Sequence, residues 1–162
     1  MKFIEFEAKE ILRGFGYFKG IHTKEPIKVP IKLNLTWNSD LLSFINPIHI
    51  GFLRAYVDGT IQIDDEEFTL FGTLTLKYFE DNSIEYHLFI ENFIKKSSTK
   101  DSECLTFIGK KINIKPWNLL FSHTTCFGTL LQNNELIADC YLFFNLKDLF
   151  PFLKSFKFKF NV

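Results

Sequence analysis

The stretch FTLFGTLTLKYFEDNSIEYHLFI, residues Phe68–Ile90, decides the fold class of this chain. Apolar and polar side chains alternate along Phe68–Phe79, and the alternation resumes along Ile84–Ile90 after the polar segment Glu80–Ser83. Because successive side chains of a β-strand point to opposite faces, a period of two is typical of half-buried strands. Two such runs joined by a short polar turn predict an antiparallel hairpin with one apolar face that another part of the chain must cover.

The same alternation recurs along most of the chain. It predicts further strands at Lys2–Ala8, Ile11–Phe18, Lys28–Trp37, Ile48–Val57, Thr60–Ile63, Leu105–Ile108, Lys111–Ile114, Thr124–Leu131, Leu136–Phe144 and Ser155–Phe160. The dipeptide Asp58-Gly59 suits the positive φ angles of a tight hairpin turn. Short helices are predicted at Asp40–Ile45, which Pro47 prevents from continuing, and at Leu146–Leu153.

Nearly all of the predicted strands are neighbours in sequence and are joined by short turns. The sequence therefore predicts an all-β fold, either an antiparallel β-sandwich or a partly closed β-barrel, with two short helices. A length of 162 residues fits a single domain, spanning 1–162. A chain of this size can bury a core that needs no disulfide or metal.

The net charge and the spacing of the cysteines argue against several classes of function. The 19 basic and 19 acidic side chains cancel, so the chain as a whole has no attraction for nucleic acid or an anionic membrane. Charged residues interrupt the N-terminal segment, which argues against a signal peptide, and no apolar run is long enough to span a membrane. Cys104, Cys126 and Cys140 follow no metal or redox spacing, which predicts free thiols in a cytoplasmic protein without metal or cofactor.

The 21 Phe residues exceed ordinary usage, and two explanations stay open. An AT-rich genome favours Phe, Ile and Lys without any functional reason. Alternatively, the Phe side chains line a cavity for an apolar ligand, which would need a volume of about 300 Å³ or more.

No catalytic constellation is predicted. Residues three apart on a strand face opposite sides, so His123 and Cys126 are not expected to form a thiol–imidazole pair. An enzyme using either residue would need them within about 3–4 Å of each other in a cleft. The acidic run Asp64–Glu67 lacks the spacing of a calcium loop and is predicted to be a solvated turn. The chain is therefore predicted not to be an enzyme.

The segment Arg13–Phe18, RGFGYF, resembles the aromatic ribonucleoprotein motif of RNA-binding domains. In such domains exposed aromatic side chains stack on bases while Arg or Lys contacts phosphate. The resemblance implies a barrel that binds single-stranded nucleic acid through Arg13, Phe15, Tyr17 and Phe18. A strand whose glycines allow close packing or a bulge explains the same segment without a ligand.

One residue set is predicted as a ligand site. Polar side chains and an aromatic one flank a Pro-interrupted segment at what should be one end of the sheet. The predicted ligand-binding residues are Lys111, Trp117, His123, Thr124 and Thr125.

Short motifs between Lys28 and Phe160 form a series: Phe68–Phe71, Tyr86–Ile90, Gly109–Lys111, Trp117 and Thr124-Thr125, with Asp-Leu pairs at Asp40-Leu41 and Asp148-Leu149. The series resembles a β-rich accessory module found in bacterial proteins beside cholesterol-oxidase-like, flavin-dependent (GMC-type) oxidoreductases and beside lipase-like enzymes. The chain departs from it at Cys126, where Leu is expected, and at Lys95–Glu103, which looks like an insertion. The resemblance implies a link to lipid or sterol metabolism. It implies no oxidase activity, because the sequence has no flavin domain.

Together these observations predict a non-catalytic, soluble β-domain. It is expected to bind an apolar, lipid-like ligand in a Phe-lined interior or to present a sheet face to a protein partner. A barrel that binds single-stranded nucleic acid is the alternative, and the zero net charge makes it the less favoured one.

Overall fold

A computed structural model describes residues 3–20, 24–40, 53–77, 81–91, 105–112 and 125–161 of the chain. These residues form nine β-strands: β1 (Phe3–Phe18), β2 (Ile27–Asp40), β3 (Leu53–Ile63), β4 (Glu66–Lys77), β5 (Ser83–Ile90), β6 (Leu105–Lys111), β7 (Thr125–Gln132), β8 (Glu135–Phe144) and β9 (Lys157–Asn161). A 3₁₀ turn, Leu146–Asp148, leads into the one α-helix of the described residues, α1 (Leu149–Ser155).

Strands β1 to β8 form a closed antiparallel barrel in which sequence neighbours are hydrogen-bonded to each other. The barrel closes where Leu12–Phe18 of β1 pairs with Ala138–Phe144 of β8. Further towards the start of β1, the segment Phe3–Glu7 pairs along the same edge with β9. The all-β prediction is confirmed, and the barrel is the architecture that forms.

The hairpin of β4 and β5 shows the predicted alternation. His87 is exposed, whereas the inward side chains of β5 are buried: Ile84, Tyr86, Leu88 and Ile90. The polar segment Gln132–Glu135 also predicts a hairpin between the strands Thr124–Leu131 and Leu136–Phe144, and the pairing of β7 with β8 confirms it. Its turn residues Asn133 and Asn134 have φ angles of 50° and 67°, the left-handed conformation that a tight two-residue turn requires.

Three strand breaks predicted from the sequence are wrong. The structure has one continuous strand, β1, across Lys9 and Glu10, and β6 likewise runs through Gly109. Strand β3 continues through Asp58-Gly59, and the turn to β4 lies instead at Asp64-Asp65, where Asp64 has a φ of 55°. The predicted tight turn at Asp58-Gly59 is therefore an interior part of a strand.

Gly59 allows β2 and β3 to approach closely. A Cβ atom at this position would lie 1.9 Å from the carbonyl oxygen of Asn34, closer than any side chain can come. Glycine inside a strand is typical of tight bends in barrels and of close backbone approach. The same residue type that favours a turn in the sequence thus serves the curvature of the barrel wall.

Gly109 of β6 and Gly128 of β7 lie opposite each other and make room for one ring. A Cβ atom at Gly109 would lie 2.6 Å from the Phe107 ring, and one at Gly128 would lie 2.5 Å from it. Phe107 itself is fully buried. Gly109 is therefore a packing position beneath an aromatic side chain and not the end of a strand.

We expect Gly128→Ala to lower the free energy of unfolding by about 1–3 kcal/mol, because the added methyl group overpacks the Phe107 ring. Adding Phe107→Leu should recover part of this loss, since the smaller side chain vacates the space that the methyl group needs. Urea denaturation of the wild type, both single variants and the double variant measures the coupling. Strictly additive losses would contradict the proposed contact.

The two predicted helices have different outcomes. The helix over Leu146–Leu153 is confirmed as the 3₁₀ turn and α1, and Pro151 falls in the first turn of α1, where its missing N–H removes no helical hydrogen bond. Asp40, the predicted start of the other helix, is instead the last residue of β2. The remainder of that prediction, 41–45, lies outside the described residues.

The barrel interior is packed mainly with aliphatic side chains from alternate positions of all eight strands. Among the described Phe side chains, only Phe107 and Phe144 are buried. The exposed ones lie on outward strand positions or on α1: Phe15, Phe71, Phe127, Phe143, Phe150 and Phe158. Four further Phe side chains are partly buried and pack against this core: Phe18, Phe68, Phe152 and Phe156. In the described residues Phe therefore contributes to the interior, but aliphatic side chains make up most of its lining.

Candidate functional site

The residues predicted as a ligand site do not lie on one face of the barrel wall. Lys111 ends β6 with its side chain in the interior, only 2% exposed. Thr125 begins β7 on the outward face, since it pairs with the exposed Phe143. Trp117, His123 and Thr124 lie outside the described residues.

Lys111 forms an ion pair with Glu10 of β1 inside the barrel. Both side chains are almost fully buried, at 2% and 3% exposure. Tyr86 Oη of β5 donates a hydrogen bond of 2.9 Å to Glu10 Oε2, and Lys111 Nζ lies 5.6 Å from the centroid of the Tyr86 ring. Burial of a charge is tolerated when an opposite charge and hydrogen bonds compensate it, and this cluster provides both.

The sequence pattern indicates that Glu10 is buried, provided that β1 is read as one continuous strand. The predicted strand break at Lys9-Glu10 hides this. In a continuous β1, Glu10 shares its face with Ala8 and Leu12, which are both buried. A carboxylate at an inward position requires a cationic or hydrogen-bonding partner. The identity of that partner, Lys111, depends on pairing between distant strands and could not be read from the local pattern.

We expect Lys111→Met to lower the free energy of unfolding by about 3–5 kcal/mol, because it leaves a buried carboxylate without its counter-charge. Replacing Glu10 as well, in the double variant Glu10→Leu with Lys111→Met, should recover a large part of that loss, because no buried charge then remains. Urea denaturation followed by circular dichroism provides the measurement. A double variant no more stable than Lys111→Met would contradict the ion pair.

Cys126 and Cys140 are free thiols buried in the interior on neighbouring strands. Burial raises the pKa of the Cys126 thiol to about 12, although the nearby charge of Lys111 partly opposes this. Burial also raises the pKa of Cys140 to about 12. The thiolate is the reactive form of cysteine, and it is scarce at neutral pH when the pKa is this high. Its described surroundings therefore keep the Cys126 thiol protonated at neutral pH.

In a Cys104→Ser background, the two remaining thiols should react with a disulfide reagent such as DTNB far more slowly in the folded protein than in urea. The rise in pKa alone reduces the thiolate fraction by about a hundredfold or more at pH 8, and the barrel wall excludes the reagent as well. The absorbance of released thiolate measures both rates. Comparable rates for folded and unfolded protein would contradict the buried placement of these cysteines.

The RGFGYF segment divides between the two faces of β1. Arg13, Phe15 and Tyr17 lie outward, with Phe15 41% exposed. Phe18 lies on the inward face and packs against the core. The prediction that all four side chains form one exposed set is therefore wrong for Phe18, because Tyr17 and Phe18 are adjacent on a strand and must diverge.

Neighbouring strands extend the outward aromatic side chains of β1. Tyr141 of β8 lies opposite Phe15 and meets the Tyr17 ring edge to face, with the centroids 5.7 Å apart. Phe127 of β7 lies opposite Tyr141, with 5.9 Å between the ring centroids. Phe143 is 47% exposed at the next outward position of β8. We call these five residues, Phe15, Tyr17, Phe127, Tyr141 and Phe143, the aromatic surface.

Sequence reasoning missed the three members on β7 and β8, although it placed the hairpin correctly. The available signal was the run Tyr141–Phe144, in which both faces of one strand carry apolar side chains. Cys140 and Leu142 fill the inward positions, so Tyr141 and Phe143 must face outward, where polar side chains normally stand. Only the register of β8 against β1 shows that they join Phe15 and Tyr17.

A groove of about 530 Å³ lies on the outer face beside the aromatic surface. Its lining includes Arg13, Phe15, Lys32, Gln62, Asp64 and Phe143. Arg13 pairs with Phe143 on one side and with Lys32 on the other, so the groove passes from aromatic side chains at β8 to polar ones at β2 and β3. This volume lies within the usual range of ligand sites, about 300–1,000 Å³.

Cationic side chains at the aromatic surface are largely engaged with other groups. Arg13 forms an ion pair with Asp148 of the 3₁₀ turn. Lys28 Nζ lies 3.9 Å from the centroid of the Phe15 ring, a cation–π contact that occupies one face of that ring.

Lys110 of β6, whose strand position is opposite Phe127, is also paired. Its ammonium lies 2.7 Å from Asp81 Oδ2 and 3.1 Å from Glu85 Oε1. Hydrogen bonds to these two carboxylates raise the pKa of Lys110. The bond to Lys110 lowers the pKa of Asp81, so the pair stays charged at neutral pH. The charge of this part of the surface is therefore close to balanced.

Comparison with known proteins finds no matching protein family, no matching curated protein and no matching solved structure. The resemblance to the module beside GMC-type oxidoreductases accordingly stays a prediction. Within the described ranges, no group of three or more His, Cys, Asp or Glu side chains is placed to hold a metal ion. No helix in the same ranges has the length and apolarity needed to cross a membrane.

Proposed function

We propose that this domain is a non-catalytic binding module that recognises a protein partner through the aromatic surface and the adjoining groove. The observation that carries the proposal is the contiguous set of outward aromatic side chains on β1, β7 and β8, of which all but the half-buried Tyr17 are exposed. Aromatic residues are enriched at the cores of protein interfaces, where they provide large contact areas at low conformational entropy.

The division between interior and exterior supports recognition on the outside. Inward positions of the described strands hold packed aliphatic side chains and the satisfied Glu10–Lys111 pair. The groove on the outer face has the size of a ligand site and opens beside exposed rings. An apolar side chain of a partner, inserted between Phe15 and Phe143, would bury surface on both rings.

The charge distribution favours a protein partner over nucleic acid. Binding of single-stranded nucleic acid depends on cations that neutralise phosphates. Arg13 is paired with Asp148, and Lys110 is paired with two carboxylates. In the groove, the positive charge of Lys32 is offset by the negative charges of Asp64 and Asp65. The free thiols Cys126 and Cys140 support a cytoplasmic location as part of the same proposal.

Single-stranded nucleic acid remains the second candidate because Lys28 stands directly over the Phe15 ring. A base stacked on Phe15 would bring its phosphate near this ammonium. This arrangement requires Lys28 to leave the ring face, since one face cannot hold both groups. Nucleic-acid binding therefore requires Lys28 to move off the Phe15 ring, whereas peptide binding does not.

Peptides selected from a random displayed library on the immobilised protein should bind through the aromatic surface. We expect Phe15→Ser and Phe143→Ser each to raise the dissociation constant by about tenfold or more, as the loss of an aromatic anchor does at other interfaces. Fluorescence polarisation of a labelled selected peptide measures the effect. Tyr56→Ser is the matched control, because Tyr56 is a 73% exposed aromatic residue on β3, outside the aromatic surface.

A labelled oligothymidine measured in the same way separates the two candidates. Oligothymidine binding at low salt that is lost in Lys28→Ala would establish the nucleic-acid function. Peptide binding that Tyr56→Ser and Phe15→Ser weaken equally would contradict recognition by the aromatic surface.

A further inference from the structure

Helix α1 covers one end of the barrel with an aromatic plug. The Phe152 ring lies 5.7 Å from the Trp37 ring of β2 and 5.5 Å from the Phe144 ring of β8, in both cases edge to face. Phe156, directly after the helix, packs against Phe152 at 5.0 Å. Strand β1 lies between β2 and β8 in the barrel, and its residue Ala8 is opposite Trp37. The Phe152 ring contacts both neighbouring strands and therefore lies over the inward face of β1 near Ala8.

Trp37 has a buried polar atom with no partner. Its side chain is 7% exposed, and its Nε1 is the one buried side-chain nitrogen or oxygen of the described residues that makes no hydrogen bond. Buried donors in proteins are nearly always satisfied, and an unpaired one is destabilising. An unpaired indole N–H beside the plug indicates a place where an acceptor from another molecule can bind.

The surroundings of Trp37 define what kind of acceptor fits. Trp37 lies opposite Ala8 in the register, next to a wall formed by Phe144 and Phe152. The charges deeper in the barrel are already matched, because Lys111 pairs with Glu10. A charged ligand would therefore be buried without a counter-charge of its own, whereas a neutral molecule with one acceptor would not.

The plug is held by ring contacts and partly buried side chains and not by any fully buried side chain. All side chains of α1 are partly or fully exposed, including Phe152 itself. Ser155 Oγ accepts a 2.7 Å hydrogen bond from the Lys9 backbone N–H, and Arg13 pairs with Asp148 just before the helix. A seven-residue helix without a buried side chain can move away from the barrel at low cost compared with the strands beneath it.

We propose that the position of the Phe152 ring is a binding site for a neutral, ring-sized apolar molecule that carries one carbonyl or hydroxyl oxygen. The molecule replaces the Phe152 ring between Trp37 and Phe144, and its oxygen accepts the hydrogen bond from Trp37 Nε1. Helix α1 moves away from the end of the barrel when the molecule binds. This site is separate from the aromatic surface and does not rest on the proposed partner recognition.

The test uses two environment-sensitive probes and the full chain. One probe is a propionyl-dimethylaminonaphthalene dye, whose carbonyl accepts a hydrogen bond, and the other is dimethylaminonaphthalene, which lacks that carbonyl. The wild type should bind the carbonyl dye about threefold to tenfold more tightly, the range expected for one neutral hydrogen bond. Fluorescence titration provides both dissociation constants.

Two variants locate the site. Trp37→Phe should reduce the affinity ratio of the two probes to about one, because it removes the indole donor. Urea denaturation, run in parallel, should show that the variant still folds, with some loss of stability because the smaller ring leaves a cavity. Phe152→Ala should raise the affinity for both probes, because neither then has to displace a ring. Phe150→Ala is the matched control on the same helix, since Phe150 is 66% exposed and points away from the plug contacts.

Each remaining outcome overturns the proposal. If the wild type binds both probes equally, the indole N–H of Trp37 donates no hydrogen bond to the probe. An affinity ratio that is unchanged in Trp37→Phe leads to the same conclusion. Loss of probe binding in Phe15→Ser would place the probe in the outer groove, which leaves the proposed partner recognition intact and excludes the site at Phe152.

Discussion

Closure of the barrel by β1 is the constraint on which the rest of the structure depends. Because β1 is hydrogen-bonded to β2 along one edge and to β8 along the other, inward side chains of all eight strands face a common interior. Glu10 enters this interior on β1, and the strands that meet it, β5 with Tyr86 and β6 with Lys111, come from the far side of the barrel. The buried ion pair therefore exists only in the closed barrel, and it ties opposite walls together.

An eight-stranded barrel leaves an interior that side chains alone can fill. In this chain Leu, Ile, Val and Ala occupy most of that space, and a large ring such as Phe107 needs two facing glycines. The described strands also bury Trp37, Tyr86 and Phe144, and most of their other aromatic side chains face outward. The exposed rings of the aromatic surface are side chains that the filled interior does not hold, and the proposed partner recognition rests on them.

The sequence predicted the parts of the fold that depend on local periodicity. The alternation in β4 and β5 and the polar pair Asn133-Asn134 were sufficient to predict hairpins correctly, because strand parity and turn chemistry are local properties. The local sequence at Gly59 and Gly109 predicts strand ends, and that prediction is wrong. Their role is set by the Asn34 carbonyl and the Phe107 ring, and the Asn34 carbonyl is more than twenty residues away in the chain.

The candidate site was less predictable than the fold for a similar reason. Arg13, Phe15 and Tyr17 were recognised from one segment, but Phe127, Tyr141 and Phe143 join them only through the register of β1 with β8 and of β8 with β7. The same applies to Trp37 and Phe152, which are distant in sequence and meet at one end of the barrel. Periodicity indicates which side of a strand a residue occupies. It does not indicate which distant strand lies beside it.

The pairing of β1 with β8 also has a consequence for how the chain folds. Gly14 pairs with Leu142 although most of the chain lies between them, so this contact has a large loop-closure entropy. Proteins dominated by such distant pairings fold slowly compared with helical bundles. Until closure, the β1 and β8 edges are both unpaired, and an open sheet of this kind can pair with another chain. During folding, this protein is therefore most exposed to pairing with other chains in the interval before β1 pairs with β8.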